Sequence, residues 1–444
     1  MILLQALDLF NKYKKIITSN SKEYYRDFLR AKKKVEKSTA WYHGQPVDFL
    51  YQPMFLTEDD VSRLNYLTST LTRILNKVIF HYKNDPVFRK QFGFPPLMEE
   101  MIMIDPGYKI PFPVARFDIF YRYDGGHSKF CELNADGSSA MNEAQVIQKI
   151  IKESRGFSYF KKSYEIEDYE LFYSLIDSIL DNFKEYCKDT NKHPNVAIVD
   201  FEGEGTINEF LEFKKRFIKL GYKTIICDPR QLEYRDGALY FGNFKVDLIY
   251  RRATTGRLIE EADDIQPLLQ AYRDRNVCIV GGLVSQVIHN KVIFSILHNK
   301  SLVDFLKDDE LNFIQKHIPF TRKVNKQDNK LVKEIINNRD KYVLKPFDLA
   351  ASRGVYVGRD FSREEWEELV NNIEDDYLVQ EFIDIPRIEM LTIDKDNIYF
   401  ENYGYLIGCF LYNQNLSGFY TRAGRKNIIG SIVESFTVPN FVVR

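Results

Sequence analysis

The segment Arg116–Ser139, RFDIFYRYDGGHSKFCELNADGSS, decides how the rest of the chain is read. Two β-prone runs flank Asp124-Gly125-Gly126, residues that tolerate positive φ at a tight turn, so the segment predicts an antiparallel hairpin. Within a strand, residues i and i+2 point to the same face. Arg116 and Asp118 therefore share a face of the first strand, and Glu132 and Asn134 share a face of the second. Turned the same way, the two pairs place a guanidinium, two carboxylates and an amide oxygen in one pocket. On a solvated hairpin the same four residues would be no more than a polar face.

The chain as a whole sets bounds. At 444 residues it is too long for one small core and fits two or three subdomains. Lys+Arg 62 against Asp+Glu 63 leaves a net charge of -1, so neither nucleic acid nor an anionic membrane is an expected partner. The five cysteines (Cys131, Cys187, Cys227, Cys278, Cys409) are scattered without a C-x-x-C, which argues against a disulfide framework or a zinc site and suits a reducing cytoplasm. No apolar run is long enough to span a bilayer and the N-terminus lacks a signal-peptide pattern. A cytosolic protein is expected.

Along the chain, the first hundred residues read as a helical region. LTEDDVSRLNYLTSTLTRILNKVIF opens with Thr57 and Asp60 at capping-box positions and repeats Leu64, Leu67, Leu71 and Leu75 at helical period. Another amphipathic helix follows the hairpin at EDYELFYSLIDSILDNFKEYC. From about residue 194, NVAIVDF, KTIICD, VDLIYRR and NVCIVGG are short apolar runs, with the helix TINEFLEFKKRFIKLG between the first two ending at Gly221. Strand, helix, strand with continuous apolar runs predicts a small parallel α/β domain. A β-rich C-terminal portion follows, interrupted by the helix SREEWEELVNNI, with Ser362 and Glu365 as a second capping box.

Chemistry-bearing residues lie in both outer portions. Asp118, Glu132 and Asn134 form an all-oxygen set that suits Mg²⁺, which usually takes one or two carboxylates together with phosphate oxygens. In LKPFDLAASRGVYVG, Lys345 ends an apolar strand and Ala350-Ala351-Ser352-Arg353-Gly354 forms a small-residue turn whose backbone can approach phosphate. This is not a Walker A loop, and taken alone the segment reads rather as a plain hairpin with a surface lysine. DYLVQEFIDIP runs into Gln380-Glu381-Phe382-Ile383, suited to a base edge, with a carboxylate near a ribose, or to an ordinary strand end. Lys291 in HNKVIFSIL and Arg422 in FYTRAG are single basic residues.

The order of these motifs is more specific than any one of them. Arg-x-Asp, Glu-x-Asn, Asn-Lys before an apolar helix, Lys-Pro with a small-residue loop, Gln-Glu-Phe-Ile and a late arginine together resemble the circularly permuted ATP-grasp ligases, closest to the glutathionylspermidine synthetase group. The acidic and amide residues precede both lysines, as in the permuted order. The resemblance runs from about residue 50 to about 425. It implies an α/β (α+β) ATP-grasp fold split into residues 101–190 and 291–444, an inserted Rossmann-like pre-ATP-grasp domain at 191–290, and the helical region at 1–100. It implies ATP and Mg²⁺ as cofactors, with Asp118, Glu132 and Asn134 as metal ligands and Arg116 against the transferring phosphoryl group. Lys291 and Lys345 would bind phosphates under the Ser352-Arg353-Gly354 loop, Gln380, Glu381, Phe382 and Ile383 would line the adenine, and Arg422 would reach back to phosphate or substrate. Ser138 and Ser139 lie where that group meets its carboxylate substrate, and Glu202 and Glu204 where it meets its cationic amine.

The activity so implied is ATP-dependent carboxylate–amine ligation through an acyl phosphate, on small-molecule substrates: a peptide, an amino acid or a polyamine. Phosphoryl transfer needs positioning and charge neutralisation more than a protein nucleophile, so Asp118→Asn or Arg116→Ala is expected to abolish ADP release and leave the fold intact. An ATP-binding regulatory scaffold, or an ATP-grasp kinase without amide ligation, is the alternative. Two features depart from the synthetase pattern. FEGEGT interleaves glycines with the acidic pair, and YRRATTG is more basic than a polyamine pocket favours. No cysteine amidase domain precedes the ligase region, so a fused hydrolase is not expected.

Overall fold

The structure is a computed structural model, described here for residues 5–189, 191–349, 352–394, 397–430 and 433–444. Its largest element is an antiparallel sheet in the order Phe436–Val438, Asn415–Gly424, Asn397–Tyr412, Val114–Phe120, Lys129–Asn134. The Arg387–Asp394 strand pairs with the outer half of the long Asn397–Tyr412 strand. Antiparallel neighbours in this sheet thus come from opposite ends of the chain, with Cys409 against Phe117. The N- and C-terminal regions are sewn together again by Met54–Thr57, which runs parallel to Asn440–Val443.

A second antiparallel sheet, ordered Thr321–Lys323, Tyr377–Glu381, Tyr342–Pro346, Tyr356–Val357, carries the helices Asn329–Asn337 and Arg363–Asn372. Its core is the fully buried Trp366 with Ile335, Leu344 and Val379. The Ser362–Glu365 capping box forms as expected. So does the Thr57–Asp60 box that starts Glu58–Asn84, where Asp60 also accepts a hydrogen bond from Tyr121, the residue after the Val114–Phe120 strand.

The inserted region is a four-stranded parallel sheet, ordered Cys278–Val280, Leu248–Arg251, Val196–Val199, Thr224–Cys227. Alternation along each strand feeds two cores. Ile198, Tyr250 and Val280 pack with Leu175, Phe183 and Phe213 of the helices Phe172–Cys187 and Ile207–Lys219. Ala197, Ile249 and Ile279 face Leu268, Leu269 and Tyr272 of Gln266–Arg273. Helices on both faces explain why these strands read as continuous apolar runs. The expected α/β architecture is present, with one addition: a three-stranded meander, Glu233–Arg235, Ala238–Phe241, Phe244–Val246, between the second and third parallel strands. Its turns use Asp236-Gly237 and Gly242, all at positive φ, a hairpin signal that was present in the sequence. Among the described residues, no helix is long and apolar enough to cross a membrane.

Candidate functional site

The hairpin forms with Arg116 opposite Asn134 and Asp118 opposite Glu132, so all four side chains share one face. Asp118 is fully buried and gathers the group. Its Oδ1 accepts from Arg116 Nε at 2.7 Å, and its Oδ2 accepts from Arg116 Nη2 at 3.1 Å, Asn134 Nδ2 at 3.1 Å and Arg422 Nη2 at 2.6 Å. Arg422 stands on Asn415–Gly424, with the Asn397–Tyr412 strand between it and the hairpin. It reaches Asp118 because the intervening strand has Gly408 in register with Asp118. A Cβ at Gly408 would come within 2.7 Å of Asp118 Oδ1, 2.8 Å of Arg116 Cδ and 3.0 Å of the Tyr420 carbonyl oxygen. Gly408→Ala is therefore expected to cost about 1–3 kcal/mol by overpacking, read as a lowered denaturation midpoint. A wild-type midpoint would show that the charge cluster can move aside.

Glu132, across from Asp118, is the more open carboxylate. Lys291 Nζ lies 3.3 Å from it. Burial alone would raise its pKa, but Lys291, Arg422, Lys345 and His289 outweigh that and hold it at about 2. Lys291 is fixed at both ends: its backbone N–H donates to the Phe347 carbonyl and its Nζ to the Leu349 carbonyl, each at 2.9 Å. Lys345 Nζ donates to the Cys131 carbonyl at 3.3 Å. Among the described residues, no group of three His, Cys, Asp or Glu side chains is placed to hold a metal. The oxygen donors at this face are Glu132, Asn134, which gives its nitrogen to Asp118 and keeps its oxygen as a ligand atom, and Asp118, which is fully buried with both oxygens taken by Arg116, Asn134 and Arg422. Hard oxygens beside two lysines fit Mg²⁺ carried with phosphate oxygens.

Two cavities meet at this face. The smaller, about 90 Å³, is lined by Lys291, Lys345, Ser352 and Gln380 to Ile383. In that wall Gln380 gives its side-chain amide to Thr321, Glu381 pairs with Lys129 at 2.9 Å, and the N–H groups of Glu381 and Phe382 donate to Phe320 and Lys341. With those two N–H groups spent, a backbone donor to a base edge must come from beyond Phe382, while Gln380 to Ile383 still line the cavity. Arg353 and Gly354 do not line it. Ser352 and Gly354 adopt positive φ and shape the turn, while Ala350 and Ala351 lie outside the described residues.

The larger cavity, about 380 Å³, is lined by Arg116, Asn134, Ser138, Ser139, Glu143 and Arg422, among others. Glu132 and Ser352 line both cavities. Arg116 Nη1 also donates to the Ser139 carbonyl at 2.8 Å. Glu202 and Glu204 are not in this cavity. They border a separate depression of about 770 Å³ with Asp200 and Asp228, and Tyr42 is the residue that lines both. Glu204 faces Arg257 at 3.6 Å, and burial lifts Asp200 to about 6.

The basic YRRATTG segment is not a feature of that depression. Arg251 pairs with Asp136 at 2.5 Å and Arg252 with Glu209 at 3.0 Å, and all four are buried. Its positive charge is neutralised inside the protein, which removes the objection it raised to a cationic substrate. Sequence reasoning also passed over Glu143, on the first turn of Met141–Lys152, and His289, which bonds the Leu133 carbonyl. Burial, and then Glu209, raise Glu143 well above the usual carboxylate range. The one available signal was a glutamate three residues into an otherwise apolar helix face.

A model of the family "circularly permuted ATP-grasp type 2" matches residues 134–413. No curated protein matches the sequence. Among solved structures, a glutathione synthetase-like effector from Globodera pallida, in its apo form, superposes with a TM-score of 0.60 at 11% identity, over 94% of this chain and 96% of that one. That is a likeness of fold. The ATP-grasp ligase PsnB, complexed with a phosphomimetic variant of its minimal precursor, Mg and ADP, has a TM-score of 0.28 at 12% identity, over 56% of this chain and 88% of its own. D-alanyl-alanine synthetase A from Vibrio cholerae has 0.28 at 9%, with the same coverages.

Proposed function

The chain belongs to the circularly permuted ATP-grasp type 2 family, and from that premise we propose that it is an ATP-dependent carboxylate–amine ligase, glutathionylspermidine synthetase-like, that forms an amide through an acyl phosphate and releases ADP and phosphate. The observation that carries this reading is the shared wall. The cavity with two lysines and the cavity with Arg116, Ser138 and Ser139 have Glu132 and Ser352 in common among their described lining residues. A carboxylate in the larger cavity would lie against phosphate in the smaller. Residues 101–190 and 291–444 are then the two permuted halves, with 191–290 inserted.

In this reading Lys291 and Lys345 neutralise phosphate beneath the turn at Ser352, Arg353 and Gly354, and Gln380 to Ile383 take the adenine. Asp118, Glu132 and Asn134 hold Mg²⁺, which when bound screens the phosphate oxygens. Arg116 meets the developing charge on the transferring phosphoryl group, in a fixed orientation because Asp118 and the Ser139 carbonyl hold three of its nitrogens. Arg422 is aimed from the other side by the same carboxylate. Ser138 and Ser139 bind the substrate carboxylate. The acidic depression of Glu202 and Glu204 complements a cationic amine, whether polyamine, amino acid or peptide, which reaches the acyl group past Tyr42.

The deciding experiment is Mg²⁺-dependent ADP release from ATP, with pooled carboxylates crossed against pooled amines, glutathione and spermidine included. Release that requires both pools is the expected result. Release with a carboxylate or hydroxyl compound alone would make the protein a kinase. Mg·ATP binding without turnover in any well would make it a scaffold.

A further inference from the structure

An amine that enters as an ammonium must shed a proton before its nitrogen can attack, so the larger cavity needs a base. Apart from Glu143, the cavity's acidic groups are poor ones, and Asp48 is solvent-exposed, with no burial to strengthen it as a base. Glu132 is tied to Lys291. Asp136 is held by Arg251 and by the Thr255 N–H, at 2.5 and 2.6 Å. Glu143 is different. It is 4% exposed, lines the cavity, and its Oε2 is buried without a hydrogen-bond partner among the described residues. A buried acceptor left unpaired is costly and calls for a donor. The groups around it are Glu209 on Ile207–Lys219, Arg252 after the third parallel strand, Arg116 on the hairpin and Tyr420 on Asn415–Gly424. Of these, Arg116 is committed to Asp118, while Arg252 pairs with Glu209 through Nη2 and with the Ser138 carbonyl and Tyr250 through Nη1, its buried Nε having no hydrogen-bond partner among the described residues.

Resting on the ligase reading, we propose that Glu143 is the catalytic base that takes the proton from the attacking amine. The ionised carboxylate removes one proton from the ammonium, and the freed lone pair forms the C–N bond at the acyl carbon. The C–O bond to phosphate breaks with its electron pair on the phosphate oxygen, and the second N–H proton leaves with the phosphate. Desolvation makes Glu143 a stronger base than an exposed glutamate, and the like charge of Glu209 adds to that.

The test compares two acceptors in wild type and Glu143→Gln: spermidine, which is cationic, and hydroxylamine, which is neutral at about pH 7 and needs no base. Glutathione is the carboxylate, or whichever pair the pooled assay returns. Glu143→Gln should lower amide formation by about 10²-fold or more, with hydroxamate formation within about threefold of wild type. Equal loss with both acceptors would make Glu143 a structural or positioning residue and overturn the proposal, as would no loss with either. If the glutamine variant does not fold, Glu143→Asp, which keeps a withdrawn carboxylate, should show the same selective loss in milder form; loss with both acceptors would overturn the proposal there too. A wild type that turns over in no well fails the ligase reading itself; a wild type that ligates beside an unaffected Glu143→Gln fails only this inference.

Discussion

Asp118→Asn should lower ADP release by roughly 10²–10³ and also weaken the fold, by about 3–5 kcal/mol. The activity loss follows from position. Asp118 orients Arg116 and Arg422, which line the larger cavity, and an amide there offers one oxygen and a competing N–H₂. The stability loss corrects the expectation of an intact fold drawn from the sequence. A surface metal ligand could be neutralised at little cost, but Asp118 is fully buried and compensates two guanidiniums. Removing its charge leaves the buried Arg116 and the half-buried Arg422 without their counter-ion.

A second substitution separates the two effects. Asp118→Asn combined with Arg422→Leu removes one charge of each sign, so part of the lost stability should return, read by the denaturation midpoint. ADP release should not return with it. Near-wild-type turnover in the single variant would sink the assignment of this carboxylate. Turnover restored in the double variant would mean that the single loss came from misfolding.

What was legible in the sequence was whatever local periodicity encodes. The period-2 spacing of Arg116, Asp118, Glu132 and Asn134 predicted a common face, and the register supplies it. The continuous apolar runs from Val196 to Val280 predicted a parallel sheet because burial on both faces leaves no polar side. Pairings between distant segments were not legible. Nothing around Arg251 or Arg252 announces that Asp136 and Glu209 will neutralise them, since those partners arrive from other elements. The Trp41–Tyr42 and Gln45–Pro46 hairpin, whose Tyr42 lines both the larger cavity and the acidic depression, is too short for a periodic signal. Gly408 carries no local signature either: its role comes from the close approach of Asp118 and Arg116, which only packing reveals.

The pairing of Arg251 with Asp136 ties the inserted parallel sheet to the site, and its loss should be felt in both stability and turnover. Asp136 lies two residues beyond Asn134, and Arg251 is the last residue of a parallel strand. Arg251 also donates to the Ala253 carbonyl at 2.6 Å and to Ser285 Oγ at 3.3 Å, so it pins the loop after the hairpin to the end of the sheet. Arg251→Met leaves a buried carboxylate without its partner and should cost about 3–5 kcal/mol near neutral pH. The cost has a defined pH dependence. In the wild type, burial would raise the Asp136 pKa, but Arg251 chiefly, with His289 and the Thr255 N–H, pulls it below the usual value. A depressed carboxylate contributes stability above its unfolded pKa, and that contribution disappears as pH falls through the folded value. In Arg251→Met the balance reverses: burial dominates, Asp136 takes up a proton more readily when folded, and the penalty is present above its raised pKa and relieved in acid. The gap between wild-type and variant denaturation midpoints should therefore narrow steadily from pH 7 toward about pH 4. A gap that stays constant over that range would mean the variant loses packing and hydrogen bonds without stranding a charge. ADP release should fall together with stability, because the loop that Arg251 holds carries Ser138 and Ser139 into the cavity.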